Sequence, residues 1–291
     1  MGRPFNFLAM VVLTTGELLQ PRSVEAQAGF IATLPFAKDG GPAIYLPVRI
    51  NGGAPGLWRL DSGASECIID RSVAKNARLA ARGGRDLHGA GKGTIRLDSI
   101  RSAVHLEIAG RAIATCEHFG AVDLSNATGD ANHPLAGILG YEFLARYVVR
   151  IDFAAHTLSL YDPGRYRYSG RGDTIELHMI RRTPRVDVRI RTAGRPEVVR
   201  RLIVDLGSDD AVDDSTVRRN VDKPGITVST TGLGKSYEAV IGTLDTVRIG
   251  PRLFTNVPGV ASDVGIVGSG IWSRFVCIFD YAHDRLFLES P

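Results

Sequence analysis

Two aspartates occupy matching surroundings in this 291-residue chain. Asp61 ends the apolar run "LWRLD" and precedes Ser62, Gly63 and Ala64; Asp205 ends "RLIVD" and precedes Leu206, Gly207 and Ser208. A carboxylate delivered by a buried strand is costly to leave alone. Two carboxylates brought face to face cannot both ionise cheaply, so they share a proton. The ionised member can then act as a general base on a water, and the protonated member can donate a hydrogen bond to a carbonyl oxygen. The pair titrates as a unit, and its chemistry needs no metal.

Such a pair requires two elements that present their acids in the same way, and the sequence repeats itself accordingly. "LPVRI…LWRLDSGAS" (46–65) matches "VDVRI…RLIVDLGSD" (186–209), which sets Asp61 against Asp205. "GAGKG" (89–93) then matches "GLGKS" (232–236), and "LEIAG" (106–110) matches "VRIG" (247–250). Finally, "GILGYEFLARYVVRIDFAAHTLSL" (137–160) matches "GIVGSGIWSRFVCIFDYAHDRLFL" (265–288) without a gap. Blocks repeated in one order indicate a duplicated domain. Short alternating or continuous apolar runs separated by Gly, Pro and Asn give an all-β pattern. Two short helices are expected, over 70–80 and 213–220, each opened by an Asp or Ser cap. The junction between copies is placed in the Gly- and Arg-rich stretch 162–173.

With these residues in place, the chain resembles the aspartic proteases, in particular exported bacterial proteins with retropepsin-like or pepsin-like domains. Asp61-Ser62-Gly63-Ala64, the Gly-bearing turn downstream and Ile138-Leu139-Gly140 carry the resemblance in the first copy. Asp205-Leu206-Gly207-Ser208, the turn at Gly232 and Ile266-Val267-Gly268 carry it in the second. The resemblance implies a bilobal acid-protease fold: two related β-barrel-like lobes, over 29–165 and 174–291, with a cleft between them. It also implies an aspartic endopeptidase in which Asp61 and Asp205 activate a water toward a peptide carbonyl. Ser62, Gly63, Gly207 and Ser208 would support the two loops, with glycine allowing a sharp turn where a Cβ would clash. The Gly-rich turns would be flaps, with His88, Gly89, Gly91, Gly232, Gly234 and Tyr237 facing an extended polypeptide substrate. With both acids in one chain, a homodimer is not required.

The second loop departs from the pattern. Leu206 replaces the hydroxyl residue that, in the resembled family, braces one loop against the other. A chain that keeps the cleft and binds peptides or protein partners without cutting them is therefore the alternative. Asp209, Asp210 and Asp213 follow closely and read as an exposed helix start, where acids complement the dipole.

The remaining features bound the context. Net charge is +4, with 35 basic and 31 acidic residues spread along the chain, so no nucleic-acid footprint is expected. Residues 1–28 read as a signal peptide: Arg3, the apolar "FNFLAMVVL", then "AQA". Export to the periplasm or beyond follows as an expectation, with no membrane span after cleavage. Cys67, Cys116 and Cys277 match no zinc spacing and read as buried small hydrophobes, with one disulfide open. "STTGLGKS" lacks the first glycine of a phosphate loop and lies between strand-like runs, so a hairpin turn is the reading there. No metal or other cofactor is expected.

Overall fold

The computed structural model describes residues 27–37, 41–87, 94–116, 118–125, 134–192, 194–217, 226–230 and 237–291. Its strands form three sheets. In the first copy, alternation sets the pleat: within Tyr45–Ile50, Leu46, Val48 and Ile50 turn inward while Pro47 and Arg49 face out. In the second copy, Thr183–Arg191 alternates in the same way, with Val186, Val188 and Ile190 buried. The short strands Leu135–Leu139 and Ile266–Gly268 are buried along their whole length, because both of their faces are covered.

The duplication reappears in the register. Val48 pairs with Ile108, as Val188 pairs with Ile249. Leu60 pairs in parallel with Leu139, as Val204 pairs with Val267. In the second copy, Thr183–Arg191 pairs with both Val198–Asp205 and Tyr237–Ile249, which closes a barrel. The first copy interrupts the equivalent long hairpin. Ile95–Ile100 and Phe119–Val122 lie toward one end of its sheet, and Val104–Ile108 and Arg111–Cys116 lie at the other.

The third sheet is common to both copies. Its order is Phe30–Pro35, Thr157–Tyr161, Val148–Asp152, Val276–Asp280, Arg285–Glu289 and Asp173–Glu176. Val149 pairs with Phe279 and Ile151 with Cys277 at its centre, where one copy meets the other. All five residues of Val276–Asp280 are buried. One apolar cluster runs from Trp58 and Leu60 through Val149 and Ile151 to Val204, Trp272 and Phe279.

The helix expected after residue 70 forms over Arg71–Asn76, capped by Asp70, whose carboxylate accepts from the Ser72 and Val73 amides. The one expected from 213 does not begin there. Val212–Asp213 is a strand, and Asp214 then accepts from the Thr216 amide in a turn; residues 218–220 lie outside the described residues. Pairing with both Ile266–Gly268 and Arg252–Val260 outweighs the local capping signal. Residues 1–26 of the expected signal peptide also lie outside the described residues. No described helix is long and apolar enough to cross a membrane.

Candidate active site

Asp61 leaves Gly56–Leu60, a strand held between Tyr45–Ile50 on one side and Leu135–Leu139 on the other. Its amide donates to Leu139 O at 3.0 Å, and its carboxylate accepts from the Ala64 amide at 2.9 Å. Ala64 O in turn accepts from the Tyr141 amide at 3.0 Å. The second copy repeats the scheme. Asp205 leaves Val198–Asp205 beside Ile266–Gly268, its carboxylate accepts from the Gly207 amide at 2.7 Å, and Ser208 O accepts from the Ser269 amide at 2.8 Å. Each acid is thus fixed by its own loop, and each loop is fixed by the hydrophobic-hydrophobic-Gly strand of its own copy.

The two loops meet. A Cβ placed on Gly63 would lie 2.7 Å from Asp205 Cγ, and one placed on Gly207 would strike the Asp61 carboxylate. Neither glycine has a positive φ. The expectation that they serve a sharp turn is therefore refined: each is glycine because the opposite carboxylate occupies the space of its side chain. The Asp61 and Asp205 carboxyls act on each other across these two glycines. Enclosure of the Asp205 carboxyl, and then the neighbouring Asp61 charge, hold Asp205 well above the usual carboxylate range. The pair therefore keeps a proton under conditions in which an isolated aspartate would lose it.

The first of these loops lies within a recognisable stretch. Residues 46–143 match the family model described as aspartyl protease. That stretch, about a third of the chain, is similar to the aspartyl protease family. No curated protein matches the sequence. The matched stretch, from Leu46 to Phe143, lies within the first copy and includes the Asp61 loop and the strand behind it. The second copy carries the same registers.

The brace between the loops is one-sided. Ser62, 1 % exposed, donates to Val204 O at 2.7 Å and accepts from the Leu206 amide at 2.9 Å. Leu206 has no hydroxyl to return the pair of bonds; its side chain joins the core. Ser208, expected to support the loop, accepts from the Asp210 amide at 3.3 Å.

Charged clamps that sequence reasoning did not single out flank the dyad. Arg59, two residues before Asp61, reaches across to Asp209 at 2.7 Å, and its charge lowers the Asp205 pKa against the larger upward effects. Glu142 accepts from the Cys67 amide at 2.6 Å and from Arg182 at 3.0 Å, tying the first loop to the start of the second copy. Arg59 stood inside the quoted motif, and its charge in an apolar run was the available signal. Tyr281 was also missed. Its hydroxyl is buried without a hydrogen-bond partner among the described residues, and burial raises its pKa, with Asp61 and Asp205 adding to the rise. The repeat aligns Tyr281 with Phe153, so a hydroxyl present in one copy was visible as a difference.

The acids after the second loop do not form an exposed helix start. Asp209 is engaged by Arg59, and Asp213 is a buried strand residue. Burial, then the Asp210 charge, push Asp213 up to about 8. Of the expected flap residues, His88, Gly89, Gly91, Gly232 and Gly234 lie outside the described residues. Tyr237 begins the strand Tyr237–Ile249.

Proposed function

We propose that this chain is an aspartic endopeptidase in which Asp61 and Asp205 hydrolyse peptide bonds through a shared water. The observation that carries the reading is the reciprocal packing of the two loops, which joins the carboxylates behind glycines that nothing larger could replace. The ionised member of the pair takes a proton from the water, whose oxygen attacks the peptide carbonyl carbon. The protonated member donates a hydrogen bond to the carbonyl oxygen as negative charge develops there. A proton then passes to the amine as the C–N bond breaks, and the pair returns to its singly protonated form. The pair holds one proton between its two acids at the start, since enclosure of the Asp205 carboxyl disfavours a second charge there. The substrate is an extended polypeptide running through the interlobe cleft, and the chain acts after export.

A specific observation supports a second reading, a cleft that binds peptides or protein partners without cutting them: the returning half of the loop brace is absent at Leu206. Incubating the purified protein with an unfolded polypeptide such as reduced, alkylated casein between pH 3 and 7 separates the two. The peptidase reading expects new termini by mass spectrometry, lost in both Asp61→Asn and Asp205→Asn. Saturable binding of the same polypeptide with no new termini would favour the binding module.

A further inference from the structure

The duplicated register places equivalent cross-strand neighbours on the exposed face of each copy, and the two pairs differ in charge. In the first copy Arg49 lies directly opposite Glu107, and the two form an ion pair at 3.6 Å. Opposite charges suit this position, because facing side chains on neighbouring strands stand close together. The repeat sets Arg189 against Arg49 and Arg248 against Glu107. Arg189 and Arg248 are again directly opposite, on Thr183–Arg191 and Tyr237–Ile249. The second copy therefore holds two like charges where the first holds an ion pair.

The row continues on both sides. Arg189 faces Val199 on the strand Val198–Asp205, and Arg248 faces Leu253 on the strand Arg252–Val260. Val199 is 59 % exposed and Leu253 50 %, the highest values for large hydrophobic residues among the described residues. With strands about 4.8 Å apart, the row reads apolar, cation, cation, apolar across about 14 Å. Arg191, two residues beyond Arg189, projects from the same exposed face. Glu197 reaches Arg189 at 3.4 Å in an exposed pair, whereas Arg191 and Arg248 have no ion pair among the described residues.

We propose that this face of the second copy is a docking surface for an anionic phospholipid bilayer. Arg189, Arg191 and Arg248 donate to headgroup phosphates, whose charge relieves the repulsion within the row. Val199 and Leu253 enter the boundary between headgroups and hydrocarbon on either side. A phosphate layer above hydrocarbon supplies both chemistries that the row presents. An extended acidic peptide fits less well: at Arg189 and Arg248 both central strands are already paired on each side, so they offer no edge to which a peptide strand could add.

The test needs no assay of peptide cleavage and so stands apart from the function proposed above. The full chain is sedimented with vesicles of phosphatidylglycerol and phosphatidylcholine, and with vesicles of phosphatidylcholine alone. The expected result is binding to the anionic vesicles, weakening as salt rises from about 0.05 to about 0.5 M. Arg248→Glu, which restores the charge pairing of the first copy, is expected to lower the partition coefficient roughly 30-fold, and Arg191→Glu by a similar factor. Arg191→Glu keeps the test decisive should Arg248→Glu fail to fold. Val199→Ser combined with Leu253→Ser is expected to keep the low-salt binding and to lose what persists at high salt. Residues 1–28 are the same in every variant, so the differences belong to the row. No binding to the anionic vesicles, equal binding to both kinds, or binding unchanged in both arginine variants overturns the proposal. Capture of soluble polyglutamate in place of vesicles also overturns it, by making the partner an acidic polypeptide. Release from the vesicles by millimolar inorganic phosphate at constant ionic strength does so too, by making this a site for free phosphate.

Discussion

Ser62 is the residue on which the two loops depend most directly. Its hydroxyl satisfies Val204 O and the Leu206 amide, both on fully buried residues. Removing it leaves a donor and an acceptor unpaired in the core, which costs about 2–3 kcal/mol. Ser62→Ala is expected to lower the urea midpoint accordingly and to reduce turnover, while Ser62→Thr keeps both. Asp213 makes a different prediction. Its ordinary value is 3.8 and its folded value about 8, so the folded state holds a proton that the unfolded chain releases. Its stabilising contribution is complete below the lower value and is lost as pH rises through the upper one. Asp205, also raised, acts in the same direction. Denaturant titrations between pH 4 and 8 are expected to show stability falling with pH, with a shallower fall in Asp213→Asn.

At the scale of elements, each acid is delivered by a central strand and held by a second, parallel strand from the end of its own copy. What joins the two deliveries is charge. Arg59 on the first strand pairs with Asp209 just after the second, and Glu142 pairs with Arg182. The Arg59 charge opposes the upward shift of Asp205. Arg59→Met is therefore expected to raise the Asp205 pKa further. The alkaline limb of the pH–rate profile then moves to higher pH, and the carboxyl infrared band of protonated Asp205 persists to higher pH than in the unaltered protein. An unshifted band would remove Arg59 from any electrostatic role at the pair.

For the whole molecule, the sheet shared by both copies sets the relation between the loops. Val148–Asp152 from one copy and Val276–Asp280 from the other are its adjoining strands, and the apolar cluster is continuous across them. Neither copy completes that sheet by itself. Calorimetry is expected to show a single cooperative transition, and Phe279→Ala, which opens a cavity at the junction, to lower it as one unit by about 3–5 kcal/mol. Two separated transitions would mean that the copies fold independently.

The sequence by itself determined the strand pattern, the duplication and the identity of both acids. Alternating apolar residues fix which face of a strand is buried, and an ordered repeat fixes which residues correspond. It also flagged Leu206, because one hydroxyl of an expected pair was missing. A helix does not start at Asp213 because an Asp-Asp-Ser cap signal is local, whereas the pairing of Val212–Asp213 comes from strands about fifty residues downstream. Only the tertiary structure decided that Gly63 and Gly207 each make room for the other copy's carboxylate and that Arg59 meets Asp209. Each of these is a contact between segments distant in sequence. Local pattern carries no information about such contacts until the backbone has closed around them.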